Sequence, residues 1–127
     1  QLISAIEYLH SNGIAHTDLK LSNILLGNKF NLKLSDFDHA CLDEDGEISD
    51  KGSENYRAPE LKNGNCLDPY AADVYSLGIT IFTMISGHGP YSNEGSQLQE
   101  LMLNGDCKFW ETHCQKYSQI FSRSFQS

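Results

Sequence analysis

Lysine and arginine are scarce in this chain: nine basic residues stand against seventeen acidic ones, for a net charge of −8. That deficit argues against nucleic acid or an anionic membrane as the main partner, because both are gripped by clustered cations. Long apolar runs are missing as well. The longest, from Leu77 to Ile85, is interrupted by Thr80 and Thr83 and falls well short of the roughly 20 residues that a bilayer-spanning helix needs, so no membrane span is expected. No signal-peptide pattern opens the chain. The four cysteines, Cys41, Cys66, Cys107 and Cys114, form no C-x-x-C pair and no dense framework, which fits reduced thiols and an intracellular, cytoplasmic setting. Cys107, His113 and Cys114 crowd together, but they lack a fourth ligand and the tight spacing of a zinc site, and are read as ordinary side chains.

An initiator methionine is also absent. The chain opens on Gln1, inside residues that already read as a helix, and its 127 residues suffice for one domain or part of one. Residues 1–127 are therefore taken as a partial domain. No internal repeat, low-complexity tract or second domain is evident.

The stretch that is chemically rich runs from His16 to Asn23. It sets a carboxylate at Asp18, an ammonium at Lys20 and a carboxamide at Asn23, followed at once by the apolar run Ile24-Leu25-Leu26. Such a polar cluster abutting a strand reads as a loop held at a strand's edge, where side chains can face a cleft. A second alternating run, Leu32-Lys33-Leu34, leads to Asp36, with Gly27 to Asn31 supplying turn chemistry between the two. Paired as a hairpin, these runs bring Asp36 back toward Asn23.

Upstream, Leu2, Ile3, Ile6 and Leu9 recur at helical spacing, and Gly13 suits a left-handed helix stop. Downstream, a helix is expected from Asp73 through Ile85, apolar on most faces as a centrally buried helix would be. Gly87-His88-Gly89-Pro90 ends it. The segment from His39 to Tyr56, carrying Asp43, Glu44, Asp45, Glu47 and Asp50, reads as a solvated loop, with attraction of a basic substrate as the sharper alternative. Leu98, Leu101 and Met102 mark another short helix ending near Gly105. Phe109, Trp110, Phe121 and Phe125 read as core aromatics.

His16 to Asn23 resembles the H-R-D-L-x-x-x-N loop of the eukaryotic protein kinases, Asp36-Phe37-Asp38 resembles their D-F-G, and Gly52 to Glu60 their G-T-x-x-Y-x-A-P-E. Order and spacing both fit. The resemblance implies an α+β, mainly α-helical fold: the kinase-like C-terminal lobe, with a small β-hairpin carrying the catalytic and metal-binding loops. It implies a serine/threonine kinase that transfers the terminal phosphate of ATP to a protein hydroxyl. By the same resemblance Asp18 accepts or orients the proton of the attacking hydroxyl, and Lys20 offsets charge on the transferred phosphoryl. Asn23 and Asp36 supply oxygens to Mg2+, so that Lys20, Asn23 and Asp36 together hold the nucleotide and its metal. Ser53 stands where a hydroxyl contacts the catalytic pair and meets the substrate. His16 is a scaffold residue, Phe37 packs inward, and Asp73 hydrogen-bonds the catalytic loop or favours its own helix's dipole. Glu60 is expected buried and paired with a distant Arg; Arg123 is available but unassigned, and without a partner the burial is costly.

Two departures from the family pattern stand out. Thr17 replaces the common Arg, removing the cation that would pair with a phosphate on the activation segment; members of that kind often need no such phosphorylation. Asp38 replaces the Gly of D-F-G and restricts a backbone hinge. With the nucleotide-binding N-terminal lobe unmatched here, 127 residues alone are expected to be inactive. The alternative to an enzyme is a pseudokinase or scaffold that binds protein partners without catalysis.

Overall fold

The computed structural model describes residues 1–42, 52–62, 68–89 and 104–105. The chain divides into two compact units, Gln1–Ile81 and Phe82–Ser127. Among the described residues, three helices and two small antiparallel sheets make a mainly helical α+β arrangement.

Helix α1 spans Leu2–Ser11. Its apolar stripe buries Leu2 and Ile6 against Leu19 of the following loop and Leu77 of helix α3, Pro69–Ser86. This is one of two buried clusters in the first unit, and Leu19 is the link that carries the polar loop into it. Gly13, with φ 71°, ends α1 in the left-handed region as its lack of a Cβ permits. Strand β1, Ile14–Ala15, then leads to the loop.

After a tight helical turn at Leu21–Asn23 the expected hairpin forms: β2, Ile24–Leu26, lies antiparallel to β3, Leu32–Leu34, with Ile24 opposite Leu34 and Leu26 opposite Leu32. The turn between them uses left-handed backbone at Lys29 and Phe30, φ 59° and 58°, rather than at Gly27. The Gln1 side chain steadies that conformation, donating from Nε2 to the Phe30 carbonyl at 3.2 Å and accepting the Leu32 N–H at 2.8 Å.

Strand β4, Cys41–Leu42, pairs antiparallel with β1, Ala15 opposite Cys41. The solvated loop expected from His39 onward therefore begins with a paired stretch. Two-residue strands carry no periodicity, so nothing in the local pattern marks this one. Cys41 joins Ala15, Ala58, Leu61 and Ala72 in a second buried cluster.

Helix α3 starts four residues before the expected Asp73. Asp68 accepts the Ala71 N–H through Oδ1 at 3.0 Å, and Pro69 occupies the first helical position, an effective start signal. Asp73 consequently lies in the second turn, away from the dipole's positive end. Most of α3 is buried or half-buried, but Ala71, Val74 and Gly78 leave one stripe of it exposed, Val74 at 59 %. An open apolar groove of about 810 Å³ runs between α1 and α3, lined by Ile3, Ile6, His10, Val74, Leu77 and Ile81 among others. Gly87, φ 75°, donates its N–H to the Thr83 carbonyl at 2.9 Å and closes the helix.

Glu60 corrects another expectation. It sits in the short helix α2, Pro59–Lys62, and is exposed. The burial penalty expected for it does not arise, because water solvates the carboxylate. The acidic run from Asp43 to Asp50, the expected helix at Leu98 to Met102 and the aromatics Phe109, Trp110, Phe121 and Phe125 lie outside the described residues. So do Cys66, Cys107, His113, Cys114 and Arg123.

Candidate functional site

The loop after β1 is anchored from beneath by two buried side chains. His16 is fully buried; its Nε2 lies 3.0 Å from the Ser35 carbonyl and its Nδ1 accepts the Asp18 N–H at 3.3 Å. A carbonyl can only accept and an N–H can only donate, so the proton sits on Nε2. Asp73, also fully buried, accepts the His16 N–H on Oδ2 and the Thr17 N–H on Oδ1, each at 2.7 Å. His10 adds a third contact, its Nε2 lying 3.0 Å from Asp73 Oδ2. Position in the second turn of α3 is what lets the carboxylate reach the loop backbone.

Held in this way, the loop presents Asp18, which is 4 % exposed. Oδ1 accepts the Ser53 N–H at 2.8 Å and the Ser53 hydroxyl at 2.9 Å. Oδ2 accepts the Lys20 ammonium at 2.8 Å and Asn23 Nδ2 at 3.2 Å. Four donors fill the lone-pair directions of one carboxylate. Burial pushes the Asp18 carboxyl up, but the Lys20 and Ser53 hydrogen bonds and the Lys20 charge outweigh it and hold the group below its ordinary value. Asp18 is thus an ionised acceptor at neutral pH.

Lys20 also donates to Ser53 Oγ at 2.7 Å, closing a triangle of carboxylate, ammonium and hydroxyl. Asn23 is 5 % exposed and directs both contacts of its Nδ2 at Asp18, the second to the backbone carbonyl at 2.8 Å. Its Oδ1 accepts no hydrogen bond among the described residues and stands open. Ser35 binds the Asn23 carbonyl through both N–H, at 2.9 Å, and hydroxyl, at 3.0 Å. That double contact brings the backbone of neighbouring Asp36 to the loop.

Asp18, Lys20, Asn23 and Ser53 are therefore brought into one cluster. Asp36 does not join its hydrogen bonds: it is exposed, with φ 64°. Phe37 does not pack inward as expected, being 45 % exposed; its ring lies tilted against that of His16, with centroids 4.8 Å apart. Asp38 takes an ordinary backbone conformation, since the left-handed turn falls two residues earlier, at Asp36. The Gly-to-Asp departure consequently strains nothing in this conformation.

Sequence reasoning overlooked His10, whose contact spans 63 residues of chain, and the conformation of Thr17. Thr17 has φ 60°, a region that β-branched residues avoid. Its carbonyl is also why Gly52 has no side chain: a Cβ there would come within 2.5 Å of that oxygen, at a φ of +88°. No member of the Asp18 cluster lines the apolar groove between α1 and α3. Converging polar groups, rather than cavity volume, mark the site.

A buried, ionised carboxylate clasped by an ammonium and a hydroxyl, beside an open amide oxygen, is suited to handling a proton and a developing negative charge. The family model for the protein kinase domain matches residues 1–125. The chain belongs to that family. It is 37% identical over 105 residues to the serine/threonine-protein kinase GIN4 of Saccharomyces cerevisiae, which covers 81% of this chain and 9% of the yeast protein. It is 38% identical over 112 residues to the serine/threonine-protein kinase kin-29 of Caenorhabditis elegans, covering 84% and 14%. Against CBL-interacting protein kinase 24 of rice, identity is 38% over 116 residues, covering 87% and 26%. The chain spans between about a tenth and a quarter of the length of these relatives. Among the described residues, no helix is long and apolar enough to cross a membrane.

Proposed function

We propose that the protein carrying this chain is a serine/threonine kinase, that the chain supplies the C-terminal lobe of its kinase domain, and that Asp18 is the group that receives the attacking hydroxyl. The observation that carries the proposal is the four-donor clasp around the Asp18 carboxylate, which holds it ionised and aimed. A protein hydroxyl reaching Asp18 must displace one of the four. The Ser53 hydroxyl is the donor that can give way, because it keeps its acceptor bond to Lys20 when its proton turns aside. Ser53 then lies beside the incoming hydroxyl, and Lys20 beside the charge that moves as the phosphoryl is transferred.

Nucleotide and magnesium use follow from the family, and the donor set suits them. The open Oδ1 of buried Asn23 and the exposed carboxylate of Asp36 are hard oxygen donors. Among the described residues no cluster of three acidic, His or Cys side chains forms a ready-made cage. Magnesium commonly keeps water and phosphate oxygens in its shell, and so needs none. When bound, it would offset phosphate charge and hold the phosphates in register. The substrate is proposed to be a protein Ser or Thr.

Asp18→Asn and Asp36→Asn in the complete protein test these roles. Each is expected to lower phosphoryl transfer from ATP by roughly 10²- to 10⁴-fold, with Asp36→Asn also raising the Mg2+ concentration needed for half-maximal activity. Wild-type transfer by either variant would show the assignment to be wrong. The pseudokinase reading predicts no Asp18-dependent transfer in any form of the protein.

A further inference from the structure

Thr17 combines four features that no catalytic role explains. It is 3 % exposed, it is β-branched yet sits at φ 60°, its N–H is taken by Asp73, and its hydroxyl donates to the His39 carbonyl at 2.5 Å. A Thr in the left-handed region is unfavourable and persists only where the surroundings over-determine it. Here the Asp73 contact fixes the backbone and the His39 contact fixes the side chain. His39 lies three residues beyond Asp36 and two before Cys41, the first residue of β4.

We propose that Thr17 is a positioning residue whose hydroxyl pins the chain leaving Asp36 to the loop that carries Asp18. The pin rests on the reading of Asp18 and Asp36 as the two acidic members of one site. Between the Ser35 contacts with Asn23 and the β1–β4 pairing, residues 36–40 form a turn in which the Ala40 N–H donates to the Phe37 carbonyl at 3.0 Å. The Thr17 hydroxyl adds a tie across to the loop at the far end of that span. It does so with a neutral, buried hydrogen bond, which needs no added charge on the segment. Thr17 also touches neither substrate nor metal in this scheme; it acts through the register of Asp36 relative to Asp18.

Three variants of the complete protein, followed by amide hydrogen exchange, test the pin. Thr17→Val keeps the β-branched shape and removes the hydroxyl; Thr17→Gly removes the hydroxyl but relieves the backbone, so it folds even where Val does not; Thr17→Ser keeps the hydroxyl. Exchange across Ala40 to Leu42 should quicken roughly five- to tenfold in Val and Gly, the scale of one buried hydrogen bond, and stay near wild type in Ser. In kinetics the same two variants should raise KM for ATP at limiting Mg2+ while Ser does not. Wild-type exchange in Val or Gly, or quickened exchange in Ser equal to theirs, would overturn the proposal. Loss of phosphoryl transfer in the unsubstituted protein would defeat the functional reading instead, and the exchange comparison would still decide the pin.

Discussion

Asp18 and Lys20 are two residues apart, and with Lys20 in extended backbone its ammonium lies 2.8 Å from the carboxylate. Lys20 is one of the main reasons that Asp18 stays below its ordinary carboxyl value despite burial. Lys20→Met removes both the hydrogen bond and the charge while keeping the length of the side chain. The acid limb of the pH–rate profile should then move to higher pH, with the maximal rate reduced as well; an unmoved limb would mean that Asp18 is not the titrating group. The same depressed value has a consequence for stability. Asp18 binds fewer protons folded than unfolded, so its contribution is complete above an unfolded value of about 3.9 and is lost as pH falls through the lower folded value. Acid unfolding of the complete protein, followed by circular dichroism, should show a shallower decline below about pH 4 in Asp18→Asn than in wild type.

At the scale of elements, α3 is the organiser. Leu77 packs into the core beneath α1, and Asp73, one turn earlier, receives His10, His16 and Thr17. Asp73→Ala leaves two buried N–H groups of the loop without their acceptor. It should destabilise the domain by about 3 kcal/mol, measured by urea unfolding, and Asp73→Asn should recover part of that because one carbonyl oxygen remains. Equal stability of wild type and Asp73→Ala would remove Asp73 from its anchoring role. Much of this level was legible in the residues: the stripe of α1, the Gly13 stop and the 24–34 hairpin follow from local periodicity and turn chemistry. The start of α3 was legible too, in Asp68-Pro69, but the stronger apolar signal after Asp73 masked it. The β1–β4 pair was not, because two-residue strands are made by distant partners rather than by pattern. The exposure of Phe37 and Glu60 depends on what lies across from them, which no local pattern records. For the site, Asp18, Lys20 and Asn23 lie within six residues and could be read together. Ser53 sits 33 residues beyond Lys20 and was tied to them only through the family's motif order. Thr17 at φ 60° runs against its own preference, so propensity pointed away from it.

For the whole molecule, the chain belongs to the protein kinase family and covers only a part of the length of its relatives. The central claim therefore belongs to the complete protein. The most direct measurement is the single-turnover rate of phosphoryl transfer from ATP to a Ser/Thr peptide mixture, run beside nucleotide affinity, for wild type and Asp18→Asn. The account predicts transfer in wild type and a rate lower by roughly 10²-fold or more in the variant, with ATP affinity nearly unchanged. An Asp18→Asn protein that transfers phosphate as fast as wild type would contradict it.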